Sequence, residues 1–240
     1  MTKTYVTAET FCKDNVIFKN ITKHTKPVLF QRIPIRYKYD NNYEGSLLIR
    51  THNMFTFGIL ENKDMKTGET QGYSLHLVSF DKNKDKTEED EKFINMIECI
   101  TTMCKDQIKK NGHKRVDIES LTLLKYKEDC APTMFVKLLT KYNHKPITIE
   151  TAFKKVVNRN KKVDIDPTTI LRKRCMVVAA LRIDNIYIGT SIVSIQAKVN
   201  EVLITKEIKK TSAFNDLNLD NYIHEDDDND DNDNNEYDRD

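Results

Sequence analysis

The sequence predicts a β-rich α+β protein, an antiparallel barrel or sandwich with one inserted helix at about 87–110 and a disordered acidic C-terminal tail. Three observations carry this. Apolar and polar residues alternate with a period of two in most clearly patterned stretches. One stretch alone switches to helical spacing. And charge is sorted along the chain: residues 215–240 hold ten Asp and two Glu against one Arg, a net −11, so the overall formal charge of +2 conceals a body of +13 over residues 1–214. A run of like charges with few apolar side chains cannot bury enough surface to offset its ordering entropy. With no Pro/Gly/Ser-rich linker inside the body, residues 1–214 read as a single domain and 215–240 as its tail.

Taken in order, Val16 to Phe18 reads as a short first strand and Lys23 to Pro27 as a loop. In Arg32 to Tyr39, Ile33, Ile35, Tyr37 and Tyr39 alternate with Arg32, Pro34, Arg36 and Lys38, and Pro34 points to an edge or a bulge. Asp40 to Gly45 is a turn and Ser46 to Arg50 the return strand. Asn53 to Leu60 sets Phe55, Phe57 and Ile59 against Met54, Thr56 and Gly58; Tyr73 to Phe80 is a further strand. Thr87 with Asp90 forms a capping box, Phe93, Met96, Ile97, Ile100, Met103, Cys104 and Ile108 share one helical face, and Gly112 ends the helix. Leu121 to Tyr126 and Met134 to Leu139 are strands, Ile147 to Val157 fits strand or short helix, and Asn158 to Asp166 is a basic loop. Asp166-Pro167 with Thr168 to Leu171 forms a turn. From Cys175 the reading is a long hairpin turning at Asp184-Asn185, its second arm bending at Gly189.

Five scattered cysteines, an odd number without paired spacing, point to free thiols in a reducing compartment. The N-terminus lacks a signal-peptide pattern and no window approaches 18 apolar residues, so the expectation is a protein without membrane association. No Gly-rich phosphate loop, C-x-x-C, H-E-x-x-H or nucleophile elbow is present, and no catalytic residue, metal or cofactor is assigned. His76 is read as a wall residue of its strand. Asp164 and Asp166 are the pair on which a Mg²⁺-dependent nuclease would have to rest, without a third carboxylate or a suitably spaced lysine. The expectation is therefore a non-enzymatic protein.

A cationic body tied to an anionic tail suits a polyanion binder that carries its own competitor. The candidate phosphate contacts are Arg32, Arg36 and Lys38 on the early strand, and Lys154, Lys155, Arg159, Lys161, Lys162, Arg172, Lys173 and Arg174 in the later basic stretch. Single strands are also held by base stacking, for which Tyr43, Phe55 and Phe57 are the candidates. On the early strand the period of two turns Tyr37 and Tyr39 away from Arg36 and Lys38, an objection that the turn residue Tyr43 escapes.

NVIFKN, GSLLIRTHNMFTFGI, GYSLHLVSF with the helix after it, and ALRIDNIYIGTSIVSIQAKVNEVLI together span nearly the whole body. In these stretches the chain resembles an uncharacterised protein family found across nucleocytoplasmic large DNA viruses. More remotely, the order of a polar loop, a GY-x-L strand, a helix, further strands and an acidic tail is similar to the poxvirus single-stranded DNA-binding phosphoprotein. That similarity implies a replication-associated single-strand binder on an OB-like barrel, and it carries over no individual binding residue. The function expected is a single-stranded DNA-binding protein of a large DNA virus in replication, recombination or repair. The alternative is a virion structural or packaging protein. Expected partners are single-stranded DNA and, through the tail, viral replication proteins, with self-association allowed; the expected place is the host cytoplasm or viral factory, with packaging in the virion also allowed.

Overall fold

A computed structural model describes residues 4–26, 29–39, 43–80, 86–112, 117–128, 130–141, 147–158 and 161–208, within one compact unit, Met1–Ile208. The segment read as an acidic tail, and Arg159, lie outside the described residues. In chain order the strands are β1 (Val16–Phe18), β2 (Thr22–His24), β3 (Phe30–Lys38), β4 (Glu44–Arg50), β5 (Met54–Lys63) and β6 (Thr70–Val78). The helix α1 (Glu88–Lys110) follows, then β7 (Leu124–Lys127), β8 (Cys130–Leu138), β9 (Thr140–Lys141), β10 (Thr148–Ile149), β11 (Ala152–Asn158), β12 (Lys161–Asp164), β13 (Cys175–Ile188) and β14 (Val193–Glu207).

Five strands close on themselves. β5 pairs antiparallel with β6, β6 with β8, β14 with β13, and β13 with β5, while β8 and β14 close the ring in parallel. Numbered by chain order within the ring, the sequence around the barrel is first, second, third, fifth, fourth, an OB-like barrel. The parallel seam is short, Lys198 and Val199 against Lys137 and Leu138. Thr151 secures it: its hydroxyl donates to the Val199 carbonyl at 2.7 Å and accepts the Leu139 N–H at 2.8 Å.

Alternation fills the interior. Met54, Thr56, Leu75, Leu77, Met134, Val136, Val177, Ala179, Leu181, Val199, Val202 and Ile204 are all buried, their strand neighbours facing outward. Each large apolar chain so buried contributes about 1.5–3 kcal/mol against the exposed state. One departure reshapes the wall. The register of β5 against β6 slips between Thr56 and Ile59, so Ile59, which simple alternation places beside Phe55 and Phe57, turns into the core and is fully buried. Gly58 takes φ +86 at that bulge, a left-handed conformation costly for a side chain with a Cβ.

The helix begins where its cap requires. The Thr87 side chain accepts from the Asp90 N–H, and Asp90 in turn accepts the Thr87 N–H at 2.8 Å. His52 Nε2 lies 2.8 Å from the other Asp90 oxygen, tying the helix start to the corner between β4 and β5. Burial works against the Asp90 carboxylate, but the bonds from Thr87 and His52 outweigh it and hold its pKa below the usual carboxylate value. Phe93, Met96, Ile97, Ile100, Cys104 and Ile108 form the buried face as spaced; Met103 is half-buried. Gly112, at φ +73, stands just past the helix end. All five cysteines are free thiols, and burial pushes Cys104 up to about 12, out of reach of nucleophilic chemistry near neutral pH.

The structure corrects several expectations. β13 does not turn at Asp184-Asn185. It runs through that dipeptide with a register shift, because β3 and β14 flank it and supply ladder partners on both sides, and the turn falls at 189–192. Within Asn158 to Asp166, expected as a basic loop, Lys161–Asp164 is instead a strand paired antiparallel with β11. Ile147 to Val157 resolves as strand, since β11 has the β14 edge to pair with. Lys23 and His24 belong to β2 rather than to a loop. Pro34 does not mark an edge strand. β3 is paired on both sides, and Pro34 sits opposite Asn185, between the stretch of β3 held by β2 and the stretch held by β1.

Candidate nucleic-acid interface

Residues facing out from β5, β6 and β8 assemble a row of rings. Phe135 lies directly opposite His76 across the β6–β8 pairing, with ring centroids 4.0 Å apart in an edge contact. On the other side of His76, the β5 bulge presents Phe57 between the paired positions Thr56 and Ile59. Phe57 in turn meets Phe55 edge-on at 4.9 Å. Phe57 and Phe135 are each 44% exposed.

Each end of the row carries a cation over a ring. Lys125 of β7 holds its ammonium 4.8 Å from the Phe135 centroid, and the Arg174 guanidinium lies 5.9 Å from that of Phe57. Arg174 comes from far along the chain and is delivered by a specific local device. A 3-10 helix, Pro167–Ile170, is capped by the Asp166 carboxylate, which accepts the Thr168 N–H at 2.9 Å. Leu171 then bridges to Ile59 and the Arg172 N–H donates to the Ile59 carbonyl at 3.0 Å, so 171–174 is laid against β5 at the bulge. Arg172 itself adopts φ 53, and Arg172, Lys173 and Arg174 are all exposed.

His76 and Tyr126 have altered acidities. Burial, helped by the Lys125 charge, lowers the His76 pKa, which favours a neutral ring in the row. Tyr126, exposed beside Lys125, is pushed up to about 12 by burial of its oxygen and by its hydrogen bond to Glu98. Further along the outer face, Lys137 sits two residues from Phe135, adjacent to Lys198, which is paired in turn with Arg182.

Phe55, Phe57 and Arg174 thus come together with Phe135, His76 and Lys125, and Arg172 and Lys173 belong to the segment pinned to β5 beside them. The other candidates lie elsewhere. Lys154 and Lys155 are on β11, ion-paired with Glu201 at 2.8 Å and Glu207 at 2.6 Å, and Lys161 and Lys162 are exposed on β12 at the outer edge of the sheet. The stretch 154–174 is therefore split between two sheet regions, because β11 and β12 extend from β14 whereas 171–174 is pinned to β5. Arg36, which donates to Ser46 Oγ at 3.1 Å, and Lys38 face out from β3 toward β4. Tyr43 is 61% exposed at the opening of β4, its ring 6.2 Å from that of Tyr39, with the length of β4 between it and the corner into β5. Arg32 stands over Phe30, 4.8 Å from its centroid. Tyr37 and Tyr39 are buried, as the alternation required.

Phe135 and Lys125 escaped the sequence reading. The signal was present, since in MFVKL the pair Phe135 and Lys137 alternates with Met134, Val136 and Leu138, the spacing of an outward ring and cation on a core strand. Among the described residues no group of three or more His, Cys, Asp or Glu is placed to hold a metal ion, and no helix is long and apolar enough to cross a membrane.

Comparison with known proteins adds relatives. The "Early 31 kDa protein" of Frog virus 3 (isolate Goorha) is 29% identical over 220 residues, 84% of this chain and 81% of that protein. "Uncharacterized protein 007R" of Invertebrate iridescent virus 3 is 28% identical over 160 residues, 63% of this chain but only 34% of that protein's length. Among solved structures, the "Single-stranded DNA-binding protein from bacteriophage Enc34, C-terminal truncation" aligns at a TM-score of 0.35 and 15% identity, covering 80% of this chain and 98% of that one. The relatives agree with the resemblance to a family of large DNA viruses seen in the sequence. With residues 17–240 matching its profile, the chain belongs to the family described as "Protein of unknown function (DUF2738)".

Proposed function

We propose that this protein is a non-enzymatic single-stranded DNA-binding protein of a large DNA virus, acting in genome replication, recombination or repair. The observation that carries the reading is the row Phe57, His76 and Phe135 across three adjacent barrel strands, with Arg174 and Lys125 over its two end rings. Rings open on one face stack bases of any sequence, while neighbouring cations meet the phosphates between them. The outer face of the second and third strands of an OB barrel is where such folds hold oligonucleotides, and β6 and β8 occupy those places here. A duplex keeps its bases stacked on one another and offers these rings nothing.

Fluorescence anisotropy with labelled oligo(dT) against a duplex of equal length tests this. Oligo(dT) should bind at micromolar protein or below in low salt, and the duplex more weakly. If Arg174, Lys125, Lys137 and Lys198 meet phosphates, the slope of log affinity against log salt should be about −3. Absence of oligo(dT) binding at low salt would favour a structural or packaging role instead.

The acidic segment enters the same proposal from its charge. Twelve acidic residues tethered to the same chain would reach an effective concentration on the order of millimolar and compete with DNA for the cationic face. Deleting residues 225–240 should tighten oligo(dT) binding at low salt, with the difference fading as salt rises. Equal affinity with and without the segment would remove the competition and leave partner docking as its role.

A further inference from the structure

A second aromatic and cationic cluster lies on β2, β3 and the end of β13 that pairs with β3. β3 pairs with the far half of β13, setting Arg32 opposite Tyr187, and β2 pairs with β3, setting His24 opposite Phe30. The Phe30 ring stacks on Tyr187 at 5.3 Å and on His24 at 4.5 Å, with the Arg32 guanidinium 4.8 Å from the Phe30 centroid. These side chains face outward. Their strand neighbours Ile33, Ile186 and Ile188 fill the core, Arg32 is exposed, and Phe30, Tyr187 and His24 are half-buried. The core therefore does not account for the stack, because none of its rings points inward.

The cluster is connected to the barrel face by a polar and cationic path. From Phe135 the outward positions lead to Lys137, across the parallel seam to Lys198, and back along β14 through Gln196 to Ser194, which is paired with Tyr187. Arg182 flanks the path opposite Lys198, and the Asp184 carboxylate lies 2.6 Å from Arg182 and 3.8 Å from Lys198. Lys137, Lys198 and Arg182 against Asp184 leave these positions net positive. β7 takes the edge of β8 opposite Thr133 and Met134, where β14 would otherwise continue to pair. Before Lys198, β14 therefore has no pairing with β8, and the β13–β14 arm carries its outward residues alongside β3 instead.

We propose that Phe30 and Tyr187, with Arg32, form a second stacking station for the same single strand, joined to Phe57–Phe135 by the path through Lys137 and Lys198. The inference rests on the single-strand reading above and extends it: one molecule holds a strand at two places, and affinity should rise with length until both are filled. The test compares oligo(dT) of about 4 and about 16 nucleotides, the two ends of the footprint range for one OB fold. Phe30→Ala/Tyr187→Ala should weaken the long oligonucleotide by about 10- to 100-fold and the short one far less, since a short strand still finds the barrel face. Arg32→Glu, a surface exchange that leaves the core untouched, should reproduce the direction of the effect and so separates lost contact from lost fold. If the wild type binds both lengths but the variants match it at each, or lose equally at each, the second station is overturned while the single-strand reading stands. If the wild type binds neither length, the single-strand reading itself falls.

Discussion

Replacing Phe57 and Phe135 together by alanine should lower the affinity for oligo(dT) by between about 30-fold and 20,000-fold, since each stacked ring is worth roughly 1–3 kcal/mol. Fold stability should change little, because both side chains are 44% exposed and neither belongs to the buried core. Anisotropy titrations give the first quantity and thermal unfolding by circular dichroism the second. The salt slope supplies a further check. Stacking releases no counterions, so the doubly substituted protein should bind more weakly at every salt concentration with a slope close to that of the wild type. Reversing Arg174 and Lys125 instead should flatten the slope. Unchanged affinity after loss of both rings would show that the outer face of β5, β6 and β8 does not hold bases.

The second large effect concerns how that face is assembled. Gly58→Ala should destabilise the protein by about 2–4 kcal/mol, from a strained left-handed conformation and a forced displacement of packed backbone. At φ +86 a Cβ would stand 2.4 Å from the Ile170 carbonyl oxygen and 2.6 Å from the Lys173 N and O. Those atoms are backbone and cannot swing aside as a flexible side chain would. The 167–174 segment must then lift from β5, taking Arg174 away from Phe57. A fall in melting temperature of roughly 5–15 °C is expected for a domain of this size, together with a flatter salt dependence of DNA binding. Gly68→Ala is the control for conformation alone: Gly68 has φ +71 but nothing within 4 Å of the added carbon, so it should cost distinctly less.

Much of the fold was legible along the chain because strand and helix leave different periods. The capping box at Thr87 and Asp90 works as the spacing implied, and Val16–Phe18 and the hairpin of β3 and β4 fall where the alternation put them. Failures occurred where tertiary pairing outranks local chemistry. Asp184-Asn185 is a good turn pair in isolation, but strands on both sides hold it extended. Gly189, read as a bend in the second arm, begins the turn itself, its N–H donating to the Ile192 carbonyl at 2.8 Å. The bulge at Gly58 reversed the side taken by Ile59, which no count of two-residue periods foresees.

The candidate site divides along the same line. Phe55, Phe57 and Arg174 were identifiable as residue types suited to stacking and phosphate contact, and Tyr37 and Tyr39 as rings turned away from their neighbouring cations. Their partners were not identifiable, because strand order, not sequence spacing, sets Phe135 beside His76 and Lys125 over Phe135. By itself the sequence determined the strand-rich composition, the one helix with its cap, and the sorting of charge into a cationic body and an anionic end, all of which depend on neighbours a few residues apart. Tertiary structure alone decided which rings face outward together and which cations stand over them. Barrel closure and a glycine bulge bring residues more than a hundred positions apart into contact, and no local period records that.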